Sequence, residues 1–342
     1  MLLLGIETSC DETAAAVVED GRHARSNVVS SQIDIHKQYG GVVPEVAARS
    51  HIEIILPVIH TALENANATW DQIDGIAVTA GPGLLGSLLI GTLTARTLAL
   101  VHKKPLYAVN HVVAHTFANF LIDPQPQFPL LALSVSGGHS HMLLFKSPLE
   151  YQLLGQTRDD AAGEAFDKVA KMMGLPYPGG PSIDRIAPNG NRAAYKLPNA
   201  NLGNSLDFSF SGLKTAVLRR LQAEIGGDFR TPSSALPKRL TETQINDMAA
   251  SFQQTIYETL AGKLELAYRK YRPKTVVIAG GVAASRRLRE LVSEQIPLEM
   301  HYAPMQYCTD NGAMIASLGY YLATAGQVTD PMKLKTDPNL QI

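Results

Sequence analysis

The chain has 342 residues, of which 45% are hydrophobic and 18% are charged, a length and composition that allow two domains with separate cores. Its formal net charge of −1 excludes an overall positive field, so any binding of nucleic acid would depend on local patches or on partner proteins. Its two cysteines, Cys10 and Cys308, argue against a disulfide framework and fit a reducing cytosol.

The first part of the chain is predicted to alternate strands with helices. Residues 2–7 lack a basic flank, so we interpret them as a strand rather than a signal peptide, with 13–19 completing a hairpin. A helix is expected from Pro44 to about Asn65, and Pro57 predicts a kink or break inside it. No apolar run is long enough to span a membrane, so we expect a cytoplasmic protein. The remaining predictions here are strands at 76–78 and 106–109 and helices at 84–102 and 111–121.

A polar, proline-containing break at 123–127 is the predicted boundary between two lobes. We expect an N-terminal α/β lobe over 1–125, a C-terminal α/β lobe over 126–326 and a tail over 327–342. Predicted elements of the second lobe are strands at 130–135, 141–145, 276–279 and 300–303, helices at 159–173, 211–223, 242–270, 284–295 and 311–325, and a loop with one short helix at 176–204. Because both halves alternate strands with helices, the sequence predicts a duplicated fold with its ligand between the lobes.

Paired glycines follow two predicted strands, Gly137-Gly138 after the first strand of the second lobe and Gly280-Gly281 after 276–279. A third turn, 79–83, contains Gly81 and Gly83. Glycine lets a backbone approach a ligand closely, and the N–H groups of such loops suit anionic oxygens. Each turn alone is equally well explained as structural, but together they favour contact with a nucleotide. A P-loop is excluded because no Walker A pattern is present.

His111 and His115 are four residues apart, which places both imidazoles on one face of the predicted helix. Such a pair can bind a metal if a third ligand comes from elsewhere, and spacing alone leaves chance an equal explanation. Val112 occupies the place of the glutamate that a zinc protease needs, which disfavours that class. Asp310 lies at a predicted helix start, where it is either the N-cap or a metal ligand.

Two further polar segments are candidate binding regions. The acidic segment 159–168 is for the most part typical of a solvated helix face, but Asp167 precedes a glycine turn and could hold ligand hydroxyls or an amine. In segment 207–215, Ser211 is the expected N-cap of a helix, and stacking of a base on the neighbouring aromatic rings is the alternative.

These motifs, in this order and spacing, resemble the TsaD-type tRNA threonylcarbamoyltransferases over nearly the whole chain. The resemblance implies the two-lobed α/β fold of actin, sugar kinases and heat-shock chaperones (the ASKHA fold). It is carried by segments 5–13, 39–45, 79–84, 135–139, 160–168, 177–181, 207–215, 279–282 and 308–313.

The resemblance also implies a site and its chemistry. A metal, Fe²⁺ in preference to Zn²⁺, would be held by His111, His115 and Asp310. The donor, threonylcarbamoyl-AMP, would transfer its acyl group to the N6 amine of adenosine 37 in tRNAs that read ANN codons. The donor-binding positions are Ser134, Val135, Ser136, Gly137, Gly138, Asp167, Gly180, Asp184, Gly280, Gly281 and Ser285. Asp11 and Glu12, in the first turn, are our candidates for handling the proton or positioning the amine.

Partners and departures follow from the same resemblance. It implies tRNA as substrate, a TsaB-like paralogue, a TsaE-like ATPase and a TsaC/Sua-type synthase that makes the donor. Ser285 stands where the family usually has asparagine, which weakens the expected nucleotide contact there. Ala114 stands where glycine is frequent, without consequence for the metal. The apolar residues Ile52, Ile55, Val58 and Ile59 could form a partner surface or equally the protein's own core.

Two other functions are consistent with this fold class. A small-molecule kinase would need a catalytic carboxylate and Mg²⁺, and the histidine pair counts against it. A non-catalytic, nucleotide-dependent assembly protein would bind nucleotide and partners without transferring a group.

Overall fold

The computed structural model describes residues 1–200, 202–298 and 300–342. The described strands form two five-stranded sheets, each covered by helices. The first sheet has the order β3-β2-β1-β4-β5. Its strands are β1 (Leu2–Glu7), β2 (Glu12–Glu19), β3 (His23–Ser31), β4 (Gly75–Gly81) and β5 (Leu106–Asn110). The helices of this part are α1 (Ile33–Lys37), α2 (Pro44–Asn65), α3 (Leu85–Val101) and α4 (His111–Phe117).

The second sheet repeats this order, as β8-β7-β6-β9-β10 read from its antiparallel edge. Its strands are β6 (Leu130–Val135), β7 (Ser140–Ser147), β8 (Glu150–Gln156), β9 (Thr275–Ala279) and β10 (His301–Tyr302). The helices are α5 (Ala162–Met172), α6 (Gly179–Ile186), α7 (Ser211–Glu224), α8 (Glu242–Tyr271), α9 (Arg286–Gln295), α10 (Met305–Cys308) and α11 (Gly312–Thr324). The shared order confirms the predicted duplicated α/β architecture.

Parallel pairing places the loops of interest at common sheet edges. In the first sheet β1, β4 and β5 run parallel, and in the second β6, β9 and β10 do. All residues of β1, β4, β6 and β9 are buried, which fits their continuous apolar runs. The carboxyl ends of these strands carry the polar and glycine-rich loops, as ligand sites of α/β sheets require.

Several predicted elements differ from the observed ones. The break expected at Pro57 is absent, since α2 continues past this residue. Pro57 lies on the exposed side, where the carbonyl that loses its partner can bond water, while buried Ile55, Val58 and Ile59 anchor the helix. Strands β3 and β8 and helix α1 were not predicted from the sequence.

Two helix starts are also corrected. The predicted helix at 159 begins only at Ala162, because the Asp159 carboxylate accepts hydrogen bonds from the Phe210 and Ser211 N–H groups. Asp159 thus satisfies the start of α7, and Ser211 is not its N-cap. The predicted helix at 284 is preceded by a 3₁₀ turn, Gly281–Ala284, and α9 begins at Arg286.

The end of the described chain returns to the first sheet. A Cβ at Gly5 would lie 2.2 Å from the Gly312 carbonyl oxygen, so α11 packs directly on β1. Beyond α11, Asp337 N–H donates to the Ala80 carbonyl (2.9 Å), and the Thr92 and Thr336 hydroxyls are 2.8 Å apart. The lobe limits 1–125 and 126–326 stay a prediction, with α11 and the tail packing on the first sheet.

Candidate metal and nucleotide site

The two histidines of the predicted pair lie together at the start of α4. Asn110, the last residue of β5, caps this helix, its side chain accepting from the Val112 and Val113 N–H groups (3.0 and 3.2 Å). The imidazoles of His111 and His115 are buried, and their centroids are 4.7 Å apart. Strand, cap and short helix therefore hold both rings at the edge of the first sheet.

Asp310 reaches this pair because it is not the N-cap of α11. That role belongs to Asn311, whose side chain accepts from the Met314 N–H group (3.0 Å). Asp310 Oδ1 lies 3.2 Å from His115 Nε2 and 3.6 Å from His111 Nε2. One ligand atom from each of the three residues lies within 4.8 Å of the others, so the group could hold a metal ion.

The hydrogen bonding of His115 fits metal ligation. Both of its ring nitrogens are buried and have no hydrogen-bond partner among the described residues. The 3.2 Å approach of Nε2 to Asp310 therefore brings the two groups close without the geometry of a hydrogen bond. A buried unpaired ring nitrogen is costly, and coordination would satisfy it.

Glu7 supports the group from behind, and sequence reasoning missed it. Its Oε2 lies 3.0 Å from His111 Nδ1 and accepts from the Thr79 hydroxyl (2.6 Å), while Oε1 accepts from the Ser9 N–H group (2.5 Å). A carboxylate that receives the Nδ1 proton orients the ring and leaves Nε2 for a metal. The signal available in the sequence was an acidic residue that ends an apolar strand. A charge at such a position is buried, and it then needs a partner.

The charges around His111 set its protonation. Burial alone would lower the pKa of this imidazole, but the carboxylates of Glu7 and then Asp310 outweigh it and raise the pKa to about 9. The same pairing holds the pKa of Glu7 and of Asp310 below the usual range, although burial opposes this. Metal binding at this group therefore competes with a proton on His111 at neutral pH.

Asp11 lies in the turn between β1 and β2 and is buried, whereas Glu12 is the first residue of β2 and is half-buried. Burial, followed by the charges of Asp310 and Asp11, raises the pKa of the Glu12 carboxyl well above its ordinary value. The structure thus brings this turn into the electrostatic neighbourhood of the metal group.

The two glycine loops of the second lobe lie side by side, because β6 and β9 pair in parallel with Ser134 opposite Ala279. Gly280 has φ +87°, and a Cβ there would lie 2.4 Å from the Val135 carbonyl oxygen, so this position requires glycine. The Cα atoms of Gly137, Gly138 and Gly281 face open space. Their backbones are therefore accessible to a ligand.

Ser134 and Val135 are placed differently from the loop that follows them. Both side chains are buried, and the Ser134 hydroxyl has no hydrogen-bond partner in the described part of the chain. Their backbones pair with β7 and β9. They therefore lie behind the ligand-accessible surface, which begins at Gly137, since Ser136 is buried and its N–H donates to the His139 carbonyl (2.8 Å).

Asp167 lies next to the glycine turn at the start of α6. Its Oδ1 accepts from the Gly179 N–H group (2.6 Å), and burial raises its pKa to about 6 despite that bond. The neighbouring Gly180 faces open space. This carboxyl and this backbone are therefore close enough to act on one ligand.

Asp184 and Ser285 form a second pair, which the sequence did not predict. The Ser285 hydroxyl donates to Asp184 Oδ1 (2.8 Å), and the Gln253 amide donates to the same oxygen (2.7 Å). Ser285 therefore orients the Asp184 carboxylate at this position.

The third glycine turn has an explanation in internal packing, and its contact with a ligand stays a prediction. A Cβ at Gly81 would lie 1.9 Å from the Asp337 carbonyl oxygen, and one at Gly83 would lie 2.5 Å from the Ser9 carbonyl oxygen. These glycines let the tail and the first turn pack closely.

A cavity of about 480 Å³ lies between α8 and the loop before α7, lined by Glu258, Lys263 and Arg269 among others. None of the predicted site residues lines it. His139, which sequence reasoning also missed as a site residue, lies instead beside the metal group, its ring centroid 6.0 Å from that of His111. The metal group and the glycine loops therefore lie outside this cavity.

Comparison with solved structures supports the fold. The chain is similar to component A of the Acidaminococcus fermentans (R)-2-hydroxyglutaryl-CoA dehydratase, with a TM-score of 0.53 and 16% identity over 95% of this chain and 99% of that one. It is also similar to T. kodakarensis HypF, with a TM-score of 0.58 and 14% identity over 94% of this chain and 48% of that one. At these identities the likeness shows the ASKHA fold alone.

Sequence comparison shows the family. The family model described as TsaD, tRNA N6-adenosine threonylcarbamoyltransferase, matches residues 23–317. A protein of that name from Thermomicrobium roseum is 49% identical over 96% of this chain and 94% of its own length. Another from Dehalococcoides mccartyi is 48% identical over the whole chain and 99% of its own length. The chain therefore belongs to the TsaD family of tRNA N6-adenosine threonylcarbamoyltransferases.

Proposed function

We propose that this protein transfers the threonylcarbamoyl group of threonylcarbamoyl-AMP to the N6 amine of adenosine 37 in tRNAs that read ANN codons. The observation that carries the proposal, beside family membership, is the convergence of a His-His-Asp group with open glycine loops. In the reaction the amine nitrogen bonds to the carbamoyl carbon, the bond from that carbon to the phosphate oxygen breaks, and AMP leaves with the electron pair.

The donor nucleotide would be held by the second lobe. The N–H groups of Gly137 and Gly138 and of the Gly280-Gly281 turn suit the phosphate oxygens, because the glycines carry no Cβ. The Ser136 N–H already donates to the His139 carbonyl (2.8 Å), so Ser136 would shape this loop. Asp167, Gly180 and Asp184 would contact the nucleoside, with the Ser285 hydroxyl orienting the Asp184 carboxylate (2.8 Å). Ser134 and Val135 would support this loop from the sheet rather than contact the ligand.

His111, His115 and Asp310 would hold one divalent ion. Two imidazoles and one carboxylate form the donor set that non-haem Fe²⁺ prefers, so we propose Fe²⁺, with Zn²⁺ as the alternative. Such an ion would supply Lewis-acid stabilisation of negative charge on the carbamoyl and phosphate oxygens. Glu7 would hold the His111 ring in the tautomer that leaves Nε2 for the ion.

The proton of the attacking amine needs an acceptor, and Asp11 and Glu12 supply two carboxyls. We assign proton handling to Glu12, because a raised pKa makes its carboxylate a stronger base than an ordinary one. Asp11, buried one residue earlier, would position the amine. The charges of Asp310 and Asp11 both act on Glu12.

A partner would cover the outer face of α2 and α3. Of the apolar residues that the sequence suggested, Ile55, Val58 and Ile59 are buried in the core, whereas Ile52 is 60% exposed. Ile52 is part of an exposed apolar patch on two packed helices, α2 and α3. The other residues of this patch recur at helical spacing: Leu56, Leu85, Leu89 and Leu93. We propose that a TsaB-like paralogue binds this patch and that a TsaE-like ATPase and a TsaC/Sua-type synthase complete the pathway.

One helix of the described chain, α2, is long and apolar enough to cross a membrane. Seven of its residues are buried, and it packs on the first sheet. These contacts explain its apolar face as part of the fold's core, and we propose a cytoplasmic location.

The test is reconstitution. The chain is mixed with the proposed partners, threonine, bicarbonate, ATP and unmodified tRNA, and the digested nucleosides are read by mass spectrometry. Threonylcarbamoyladenosine that forms only when this chain is present is the expected result. Its absence, with donor formation verified, would overturn the proposal in favour of a non-catalytic role.

A further inference from the structure

A second cavity, of about 210 Å³, adjoins the metal group and has no role in the proposed donor site. It is lined by Pro82, Val112, His139, His141, Gln156 and the segment 338–342. Val112 directly follows His111 in α4, and the His139 ring lies 6.0 Å from the His111 ring and 5.6 Å from the His141 ring. His139 therefore connects the metal group to this cavity.

The segment 338–342 forms one wall of the cavity. Two hydrogen bonds to its backbone carbonyls hold it in place. The Gly83 N–H donates to the Pro338 carbonyl (3.2 Å), and the Asn110 side-chain amide donates to the Gln341 carbonyl (3.3 Å). The cavity is therefore built into the fold and does not depend on a loose surface loop.

The lining combines apolar and polar residues, and no positively charged side chain is among those described. None of the described lining residues is Lys, Arg, Asp or Glu. Burial lowers the pKa of His141 to about 4, so this imidazole is neutral at pH 7. The charged carboxylate of a threonyl group or a phosphate would find no counter-charge here, whereas an uncharged heterocycle would lose little by entering.

Resting on the proposed function, we propose that this cavity binds the acceptor adenine base after it leaves the stack of the anticodon loop. Its volume lies below the roughly 300–1,000 Å³ of pockets for larger ligands and suits a single base. The imidazoles of His139 and His141 offer rings for stacking. The Gln156 amide can donate to a ring nitrogen, as Gln does to adenine elsewhere, and leave the exocyclic amine free to react.

The arrangement also explains how donor and acceptor meet. The donor loop 136–138 leads directly to His139, and His139 borders the cavity. A base seated there lies on the side of His139 that carries His141, while the donor reaches the same residue along the loop. Recognition of an unstacked base is the usual mode for single-stranded RNA loops.

The test uses an anticodon stem-loop RNA with 2-aminopurine at position 37, a fluorescent base that lacks the reactive amine. We expect its fluorescence to rise when the full chain binds, with or without the partner proteins, because the base unstacks. Gln156→Leu should lose most of this rise and weaken RNA binding about tenfold. Gln152→Leu is the matched control, since Gln152 is an exposed residue of the same strand outside the cavity.

His141→Leu is expected to lose the same rise, and unfolding temperatures of all variants monitor the fold. No rise with the wild-type chain, or an equal rise in Gln156→Leu and Gln152→Leu, overturns the base pocket. The readout is independent of transfer. If the fluorescence rise depends on Gln156 but no product forms, the base pocket is supported and the proposed function is refuted. If product forms without a fluorescence rise, the proposed function is supported and the base pocket is refuted.

Discussion

Glu7 should control how metal affinity depends on pH. In the wild-type chain the pKa of His111 is raised to about 9, so a metal that takes Nε2 must displace a proton at neutral pH. From pH 6 to pH 9 the apparent affinity should rise about tenfold per pH unit and then level off. Because pH 7 is about two units below this pKa, competition with the proton lowers the apparent metal affinity there by roughly a hundredfold.

Glu7→Gln removes the larger of the two charges that raise this pKa and keeps the shape of the side chain. Two effects then oppose each other. Loss of the supporting carboxylate weakens the metal by about 10–100-fold, while the lower pKa of His111 relieves part of the proton competition at pH 7. We therefore expect little change in affinity near pH 7 and a 10–100-fold loss above pH 9.

The assay is competition between the protein and a colorimetric chelator for Fe²⁺ or Zn²⁺ at pH values from 6 to 9.5. Glu45→Gln is the control, because Glu45 is an exposed acid of α2 far along the chain from the site. An affinity that falls equally at all pH values in Glu7→Gln would refute the coupling between Glu7 and His111. An unchanged affinity above pH 9 would show that Glu7 does not support the metal.

Three further outcomes are expected. His115→Ala should abolish metal binding and transfer without unfolding the protein. His23→Ala, at an exposed histidine, should leave metal binding, transfer and folding unchanged. Metal analysis and thermal unfolding distinguish loss of the metal from loss of the fold. Gly280→Ala should destabilise the fold by about 1–3 kcal/mol, because φ is +87° and the added methyl would overlap a carbonyl oxygen, while Gly281→Ala should leave the free energy of unfolding nearly unchanged in denaturant titrations. Burial raises the pKa of Asp167 to about 6, so the charged form of this residue opposes folding. As pH rises from 4 to 6, the stability of the wild-type chain should therefore fall by about 1–3 kcal/mol relative to Asp167→Asn. A stability difference that does not change with pH would contradict this.

Most of the fold was predictable because its signals are local. Apolar runs followed by glycine turns predicted β4, β6 and β9, and helical spacing predicted α2, α3, α7 and α8. The strands that were missed, β3 and β8, are edge strands with mixed or exposed residues, so their sequences lack a continuous apolar run. Pro57 misled the prediction because its cost depends on whether its side of the helix faces water.

The sequence by itself determined the alternation of strands and helices, the pairing of His111 with His115 on one helix face, and the family, because each depends on the order and spacing of neighbouring residues. Only the tertiary structure decided that Asn311 caps α11 and leaves Asp310 beside the histidines. It also decided that Glu7 supports His111 across 104 residues and that segment 338–342 closes the second cavity. These contacts join residues far apart in the chain, and only the packing of the two sheets brings their charges and surfaces together.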